Sequence, residues 1–234
     1  MKKLFILLLF AGYTKAVKCQ IIIALLFGEK LNSGKLEFGL VLSPAFTNLT
    51  NSGGEYRSAL NLGMFFNIRP DKKFFLHVEL TPKSSLGAKN ISPYSLGNDS
   101  IDKFFSEGSV ERIIKTMGVT ILGRYTIAPK FFIDAGFQPD LLYKERDIFT
   151  STFDDNELRY TKKLEEKFTR IDLQLATGVF YKLKADKGSM GIGLRYLHGL
   201  TDIDKLLAGT QVNTSWQLNI TIPIGAVPKE KKSK

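Results

Sequence analysis

The stretch Phe131-Phe132-Ile133-Asp134-Ala135-Gly136-Phe137-Gln138 alternates apolar residues with polar, small or second aromatic ones. An alternation of period two places successive side chains on opposite faces of a β-strand. Similar alternation recurs in seven further runs along the chain, at residues 36–43, 59–68, 74–81, 112–127, 170–181, 190–198 and 212–222. The sequence therefore predicts eight strands, each with one strongly apolar face.

The segments between these runs are alternately short and long. The short ones are Arg69–Lys72, Ala128–Lys130 and Lys184–Gly188. The long ones are predicted as loops at Pro44–Arg57, Pro82–Glu111, Leu141–Lys167 and Gly199–Thr210. Short periplasmic turns and long extracellular loops are typical of outer-membrane barrels. The predicted fold is all-β, an eight-stranded antiparallel up-and-down transmembrane β-barrel.

The residues opposite the apolar faces distinguish a membrane barrel from a soluble lipocalin-like barrel. Many of them are small, such as Gly39, Gly63, Gly136 and Gly193, which suits the narrow lumen of eight strands. The others include charges of both signs, which are tolerated in a lumen when they pair. We expect a polar network in the lumen that contains Glu37, His77, Glu79, Arg124, Asp134, Asp172 and Arg195.

Composition limits the other possibilities. One Cys cannot form a disulfide within the chain, and one Cys with two His leaves almost no basis for a zinc site. A mean hydropathy of −0.04 leaves no room for several apolar helical spans. Asp154-Asp155-Asn156-Glu157 lacks the ligand spacing of a calcium loop, so a solvated acidic loop is the favoured interpretation. We expect no metal and no cofactor.

The ends of the sequence predict export. Lys2-Lys3, the apolar run Leu4–Phe10 and small residues before Gln20 are typical of a signal peptide over 1–19. An N-terminal membrane anchor is the alternative. Cleavage would remove four lysines and lower the net charge from +10 to +6. Residues 20–34 then form an N-terminal periplasmic segment, 35–225 the barrel and 226–234 a basic C-terminal tail.

The segment from Gln20 to Leu40, QIIIALLFGEKLNSGKLEFGL, followed by eight alternating runs, resembles the PorT-like outer-membrane β-barrel proteins of Gram-negative bacteria. The resemblance covers nearly the whole exported chain. It implies an eight-stranded barrel in the outer membrane, and some members are linked to assembly of a protein-secretion system. Such barrels commonly end on an aromatic residue, whereas this sequence continues past Gly225 into a lysine-rich tail.

These observations predict a non-enzymatic outer-membrane barrel with a filled lumen and a structural or envelope-assembly role. Two alternatives remain: a membrane-embedded enzyme acting on lipid through His77 or His198, and a soluble periplasmic lipid-binding barrel. Expected partners are outer-membrane lipid and lipopolysaccharide, and other envelope or secretion-system proteins. Scattered cations in an exported chain argue against nucleic acid. Those expected to face lipopolysaccharide from the loops are Arg57, Lys83, Lys144, Arg146 and Arg159.

Overall fold

The computed structural model describes residues 36–69, 73–164, 168–185, 188–204 and 209–224. The expected signal peptide (1–19), the N-terminal segment (20–34) and the basic tail (226–234) lie outside them. The strands are β1 (Leu36–Leu49), β2 (Glu55–Ile68), β3 (Phe74–Ile91), β4 (Ser109–Ala128), β5 (Phe131–Phe153), β6 (Asn156–Lys163), β7 (Ile171–Lys182), β8 (Gly191–Gly199) and β9 (Asn213–Pro223). One short helix, α1 (Asp99–Phe105), lies between β3 and β4. Among the described residues, no helix is long and apolar enough to cross a membrane.

Eight of the strands close into a ring in which every neighbour is antiparallel. The ring runs β1-β2-β3-β4-β5-β7-β8-β9, and β9 returns to pair with β1 from Gly39↔Pro223 to Leu49↔Asn213. β6 stands outside the ring and pairs only with the distal half of β5, as the second arm of a hairpin. The predicted eight-stranded up-and-down barrel is thus confirmed, with a ninth strand added.

The two faces of the ring follow the alternation in the sequence. On β5, Ile133 and Phe137 are exposed on the outside, whereas Asp134 and Gln138 are buried inside. The exposed apolar residues form a continuous belt around the barrel: Leu60, Ile68, Phe74, Met117, Ile121, Tyr125, Ile133, Phe137, Leu141, Ile171, Leu175, Val179, Ile192, Leu194, Trp216, Leu218 and Ile222. Such a band of apolar and aromatic side chains is what the lipid-facing wall of a transmembrane barrel requires.

The strands extend well beyond the ends predicted from alternation. β1 continues to Leu49, β3 to Ile91 and β5 to Phe153, so most of the predicted loops Pro44–Arg57 and Leu141–Lys167 and part of Pro82–Glu111 are strand instead. Register shifts interrupt the pairing between Thr81 and Ser84 and beside Thr116. A bulge shifts the side-chain alternation by one residue, and the regular pattern therefore stops although the strand does not. The predicted acidic loop is a hairpin turn in which Asp154 and Asp155 both have positive φ.

The largest apolar core lies in this extension, at the end of the barrel opposite the short turns. It contains Leu49, Leu86, Ala88, Ile91, Phe105, Val110, Ile114, Leu142, Phe149, Leu164, Phe168 and Ile203. Phe105 of α1 packs against Phe149 with ring centroids 6.1 Å apart. We call this cluster the apolar cap. Inward-facing strand residues, the helix and the β6–β7 and β8–β9 connections thus meet across the extracellular mouth.

Candidate functional site in the barrel lumen

At the end of the short turns, the lumen is closed around Glu37 of β1. Its carboxylate accepts hydrogen bonds from Asn67 Nδ2 and Arg69 Nη2, each at 2.8 Å, and from the Gly188 backbone N–H at 2.8 Å. Lys182 Nζ lies 3.5 Å from both carboxylate oxygens. Residues from strands β2 and β7 and from the two turns that follow them therefore converge on a single buried carboxylate.

The next layer combines aromatic rings with a buried ion pair. Phe75, Phe132 and Phe180 pack together inside the barrel. Arg124 lies with its guanidinium carbon 3.8 Å from the centroid of the Phe180 ring, within the distance of a cation–π contact. The same guanidinium donates to both oxygens of Asp134, at 2.6 and 2.7 Å. This bidentate geometry holds the cation across neighbouring strands β4 and β5.

A buried triad connects opposite sides of the ring. His77 Nδ1 lies 2.5 Å from Asn67 Oδ1, and His77 Nε2 lies 2.7 Å from Glu79 Oε1. Arg195 of β8 reaches across the lumen and donates to both oxygens of Glu79, at 2.8 and 2.6 Å. β3 and β8 are not neighbours in the ring. Consequently this ion pair spans the lumen.

Two carboxylates in the lumen have no cationic partner among the described residues, unlike Glu37, Glu79 and Asp134. Asp140 of β5 and Asp172 of β7 face each other directly in the register and are buried, at 1% and 0% exposure. Asp140 accepts from the amide groups of Gln138 and Gln174, and Asp172 accepts from Asn213. Within the described ranges no Arg, Lys or His lies within 4 Å of either carboxylate. Each also keeps one oxygen without a hydrogen bond.

Above the apolar belt, a further ion pair lies beneath the apolar cap. Arg112 donates to Asp147 at 2.9 and 2.8 Å, and Tyr94 donates to the same carboxylate at 2.8 Å. Burial lowers the pKa of Arg112, but its hydrogen bonds and charge interaction with Asp147 outweigh burial and raise it. Burial and then the Asp147 charge raise the pKa of the Tyr94 hydroxyl. Both groups therefore keep their protons throughout the physiological pH range.

The seven residues predicted for the polar network all lie inside the barrel, but the structure divides them into separate sets. Arg195, Glu79 and His77 form one set, Arg124 and Asp134 a second, while Glu37 and Asp172 have other partners. Sequence reasoning missed Lys182, Asp140, Arg112 and Asp147. Lys182 and Asp140 lie just beyond the ends of their predicted runs, so extending the alternation by two residues would have found them.

Salt bridges and hydrogen bonds join the described polar residues of the lumen. His77 is fully buried, and both of its ring nitrogens are occupied by Asn67 and Glu79. His198 is exposed on the outside, stacked beside Tyr196 with centroids 6.3 Å apart. Among the described residues, no group of three or more His, Cys, Asp or Glu side chains could hold a metal ion.

Several solved structures are similar to this chain over most of its length. Ail of Yersinia pestis is similar, with 10% identity, a TM-score of 0.46 and coverage of 81% of this chain and 99% of Ail. Neisserial surface protein A has 10% identity and a TM-score of 0.40 over 80% and 96%. The outer membrane enzyme PagL has 12% identity and a TM-score of 0.39 over 79% and 99%. No curated protein matches by sequence.

A family model decides the assignment, because it covers most of the sequence. The model of the outer membrane protein beta-barrel domain matches residues 28–205. That range includes β1 to β8 and ends before β9. The protein is located in the outer membrane, and the chain belongs to the outer membrane protein beta-barrel domain family.

Proposed function

We propose that this barrel is a closed, non-enzymatic scaffold of the outer membrane that supports the assembly or anchoring of other envelope proteins. The proposal rests on the side chains that occupy the lumen. The Arg195–Glu79 pair crosses it, the Phe75–Phe132–Phe180 layer packs within it, and the apolar cap lies over its extracellular end. Eight-stranded barrels have a lumen just wide enough for side chains to fill.

The resemblance of the Gln20–Leu40 segment to PorT-like proteins favours a role in assembly of a secretion system. A barrel without an open channel contributes through its surfaces. The structure offers two such surfaces, namely the extracellular extension with its β5–β6 hairpin and the lipid-facing belt. We therefore propose that contacts with envelope proteins, rather than transport, are its main activity.

The experiment that tests the closed scaffold uses the full chain refolded into a planar lipid bilayer. We expect no stepwise conductance from the unaltered protein. An Arg195→Ala, Glu79→Ala, His77→Ala variant, which removes the side chains that cross the lumen, should show openings more often. Regular porin-sized steps from the unaltered protein would overturn the proposal. Chemical crosslinking in intact membranes followed by co-purification then tests for envelope partners, and recovery of the barrel alone would contradict the assembly role.

The lipid-modifying alternative needs its own measurement. A strain carrying His77→Ala and His198→Ala would show an altered lipid profile if either histidine were catalytic. We expect the lipid profile to remain unchanged, because His77 is fully buried and both its ring nitrogens are hydrogen-bonded. A changed profile with normal amounts of folded barrel would favour the enzyme over the scaffold.

A further inference from the structure

Five cations gather on one side of the barrel, next to the extracellular edge of the apolar belt. Lys115 lies two residues beyond Met117 on β4, and Lys144 directly follows the exposed Tyr143 on β5. Lys115 and Lys144 face each other in the register of the two strands. The five are Arg57, Lys83, Lys115, Lys144 and Arg146, and we call them the basic patch. All five lie on strands β2 to β5. The sequence had predicted that four of them, all except Lys115, lie on loops.

The register of the strands gives separate evidence that these five residues are close to one another. Lys115 pairs with Ser85 on its other side, and the Ser85 hydroxyl accepts a hydrogen bond from Arg57 Nη1 at 3.3 Å. Arg146 pairs with Ile113, two residues from Lys115 along β4. Lys83 pairs with Leu62, which lies on the lipid side of β2. Four neighbouring strands therefore each contribute at least one cation to this wall.

The positive charge of the basic patch is largely uncompensated. Arg57 forms an ion pair with Glu111 at 2.7 Å. Within the described ranges, no carboxylate lies within 4 Å of the cationic groups of Lys83, Lys115, Lys144 or Arg146. Burial first, and then the charges of its four cationic neighbours, lower the pKa of Lys115. Like charges placed directly opposite each other on adjacent strands destabilise a sheet, so a bound anion would relieve the repulsion.

The position of the basic patch indicates which anion it binds. Directly below it, the wall is covered with apolar side chains that contact acyl chains, and the exposed Tyr143 marks the boundary. A lipid packed against this wall places its headgroup at the height of the five cations. Lys and Arg are the side chains that bind phosphate oxygens, Lys as a point charge and Arg by paired donors.

We propose that Arg57, Lys83, Lys115, Lys144 and Arg146 form a binding site for the phosphate groups of a glycolipid in the outer leaflet. The acyl chains of that lipid lie against Met117, Leu141 and the neighbouring belt residues. This site does not depend on the closed lumen. Its test can therefore fail while the proposed scaffold role holds, and the reverse.

The test uses the full chain refolded in phosphatidylcholine vesicles that contain diphosphorylated lipid A, or lipid A with both phosphates removed. The lipid retained after gentle detergent extraction is counted by native mass spectrometry. The test variant is Lys83→Gln, Lys115→Gln, Lys144→Gln. The matched control is Lys73→Gln, Lys130→Gln, Lys184→Gln, which removes three cations near the short turns at the opposite end of the barrel. Heat-modifiable gel mobility establishes that every variant is folded.

We expect the unaltered barrel and the control to retain diphosphorylated lipid A, and the test variant to retain at least tenfold less. Because charge carries the interaction, retention should also fall as ionic strength rises. Equal retention by the test variant and the control would overturn the proposal. Equal retention of phosphorylated and dephosphorylated lipid would overturn it too, because binding would then depend on the acyl chains alone.

Discussion

Replacing Arg195 by Met tests whether the ion pair across the lumen stabilises the barrel. The substitution keeps an unbranched side chain of similar length but leaves the Glu79 carboxylate buried with only His77 beside it. Removing one partner of a buried ion pair costs about 3–5 kcal/mol. The two lost hydrogen bonds to a charged group, at about 1.5–3 kcal/mol each, give a similar figure. We therefore expect the free energy of unfolding to fall by about 4 kcal/mol.

The partner substitution makes the prediction sharper. Glu79→Gln leaves the Arg195 charge without its carboxylate and should destabilise the barrel by a similar amount. The double variant Arg195→Met, Glu79→Gln contains neither charge, so its loss should be well below the sum of the two single losses. That difference separates the penalty of an unpaired buried charge from the net contribution of the pair.

The assay is urea unfolding of barrels refolded in lipid vesicles, followed by tryptophan fluorescence. The chain contains one tryptophan, Trp216, which lies exposed on the lipid side of β9 and therefore reports the loss of the membrane environment. Lys184→Met, at an exposed lysine near a short turn, is the control and should change the free energy by less than about 0.5 kcal/mol. A loss below about 1 kcal/mol for Arg195→Met, or additive losses in the double variant, would refute the reasoning.

Three further predictions use the same unfolding assay. Asp140→Asn removes a buried charge that has no cationic partner and should leave stability unchanged or higher, whereas Asp134→Asn, which breaks a bidentate arginine pair, should lower it by about 3 kcal/mol. Gly136→Val should destabilise by about 1–3 kcal/mol, because a Cβ there meets a backbone oxygen at 2.0 Å, and Ala135→Val on the lipid side should not. Tyr94→Phe removes a group whose pKa is raised by folding. The Tyr94 hydroxyl therefore stabilises the folded barrel at every pH below the pKa of free tyrosine, and this contribution is lost as the pH rises toward the higher pKa of the folded state. Tyr94→Phe should lower the free energy of unfolding at neutral pH. It should also make the loss of stability at alkaline pH less steep. A decline identical to that of the unaltered barrel would contradict the assignment.

The membrane-spanning part of the fold could be predicted because its two faces contact very different surroundings. Lipid requires Ile133 and Phe137 on one face of β5, and the narrow lumen requires Asp134 and Gly136 on the other. Because of this contrast, apolar residues alternate with polar or small ones along each strand, with a period of two. The extension beyond the belt faces water outside and the apolar cap inside, and bulges near Lys83 and Tyr143 shift its alternation. The pattern there no longer identified strands.

The charged residues of the lumen could be predicted, but their pairing could not. Glu79 and Arg195 are separated by 116 positions in the sequence, and nothing local indicates that they meet across the barrel. Strand order places β3 and β8 on opposite sides of the ring, and only the size of the lumen decides whether two side chains can span it. The unpaired Asp140 and Asp172 were hidden for another reason. Asp140 lies two residues past the predicted run that ends at Gln138, so its position opposite Asp172 across β5 and β7 was not predicted.

The pairing of β1 with β9 also constrains how the barrel is made. Gly39 and Pro223 are register partners, so the ring closes only when nearly the last described residues meet almost the first. Until then both strands present unpaired backbone groups, which in a membrane carry a large penalty and in water invite aggregation. Contacts of such long range form slowly. We therefore expect a factor that shields these two sheet edges to speed folding and to limit aggregation until β9 pairs with β1.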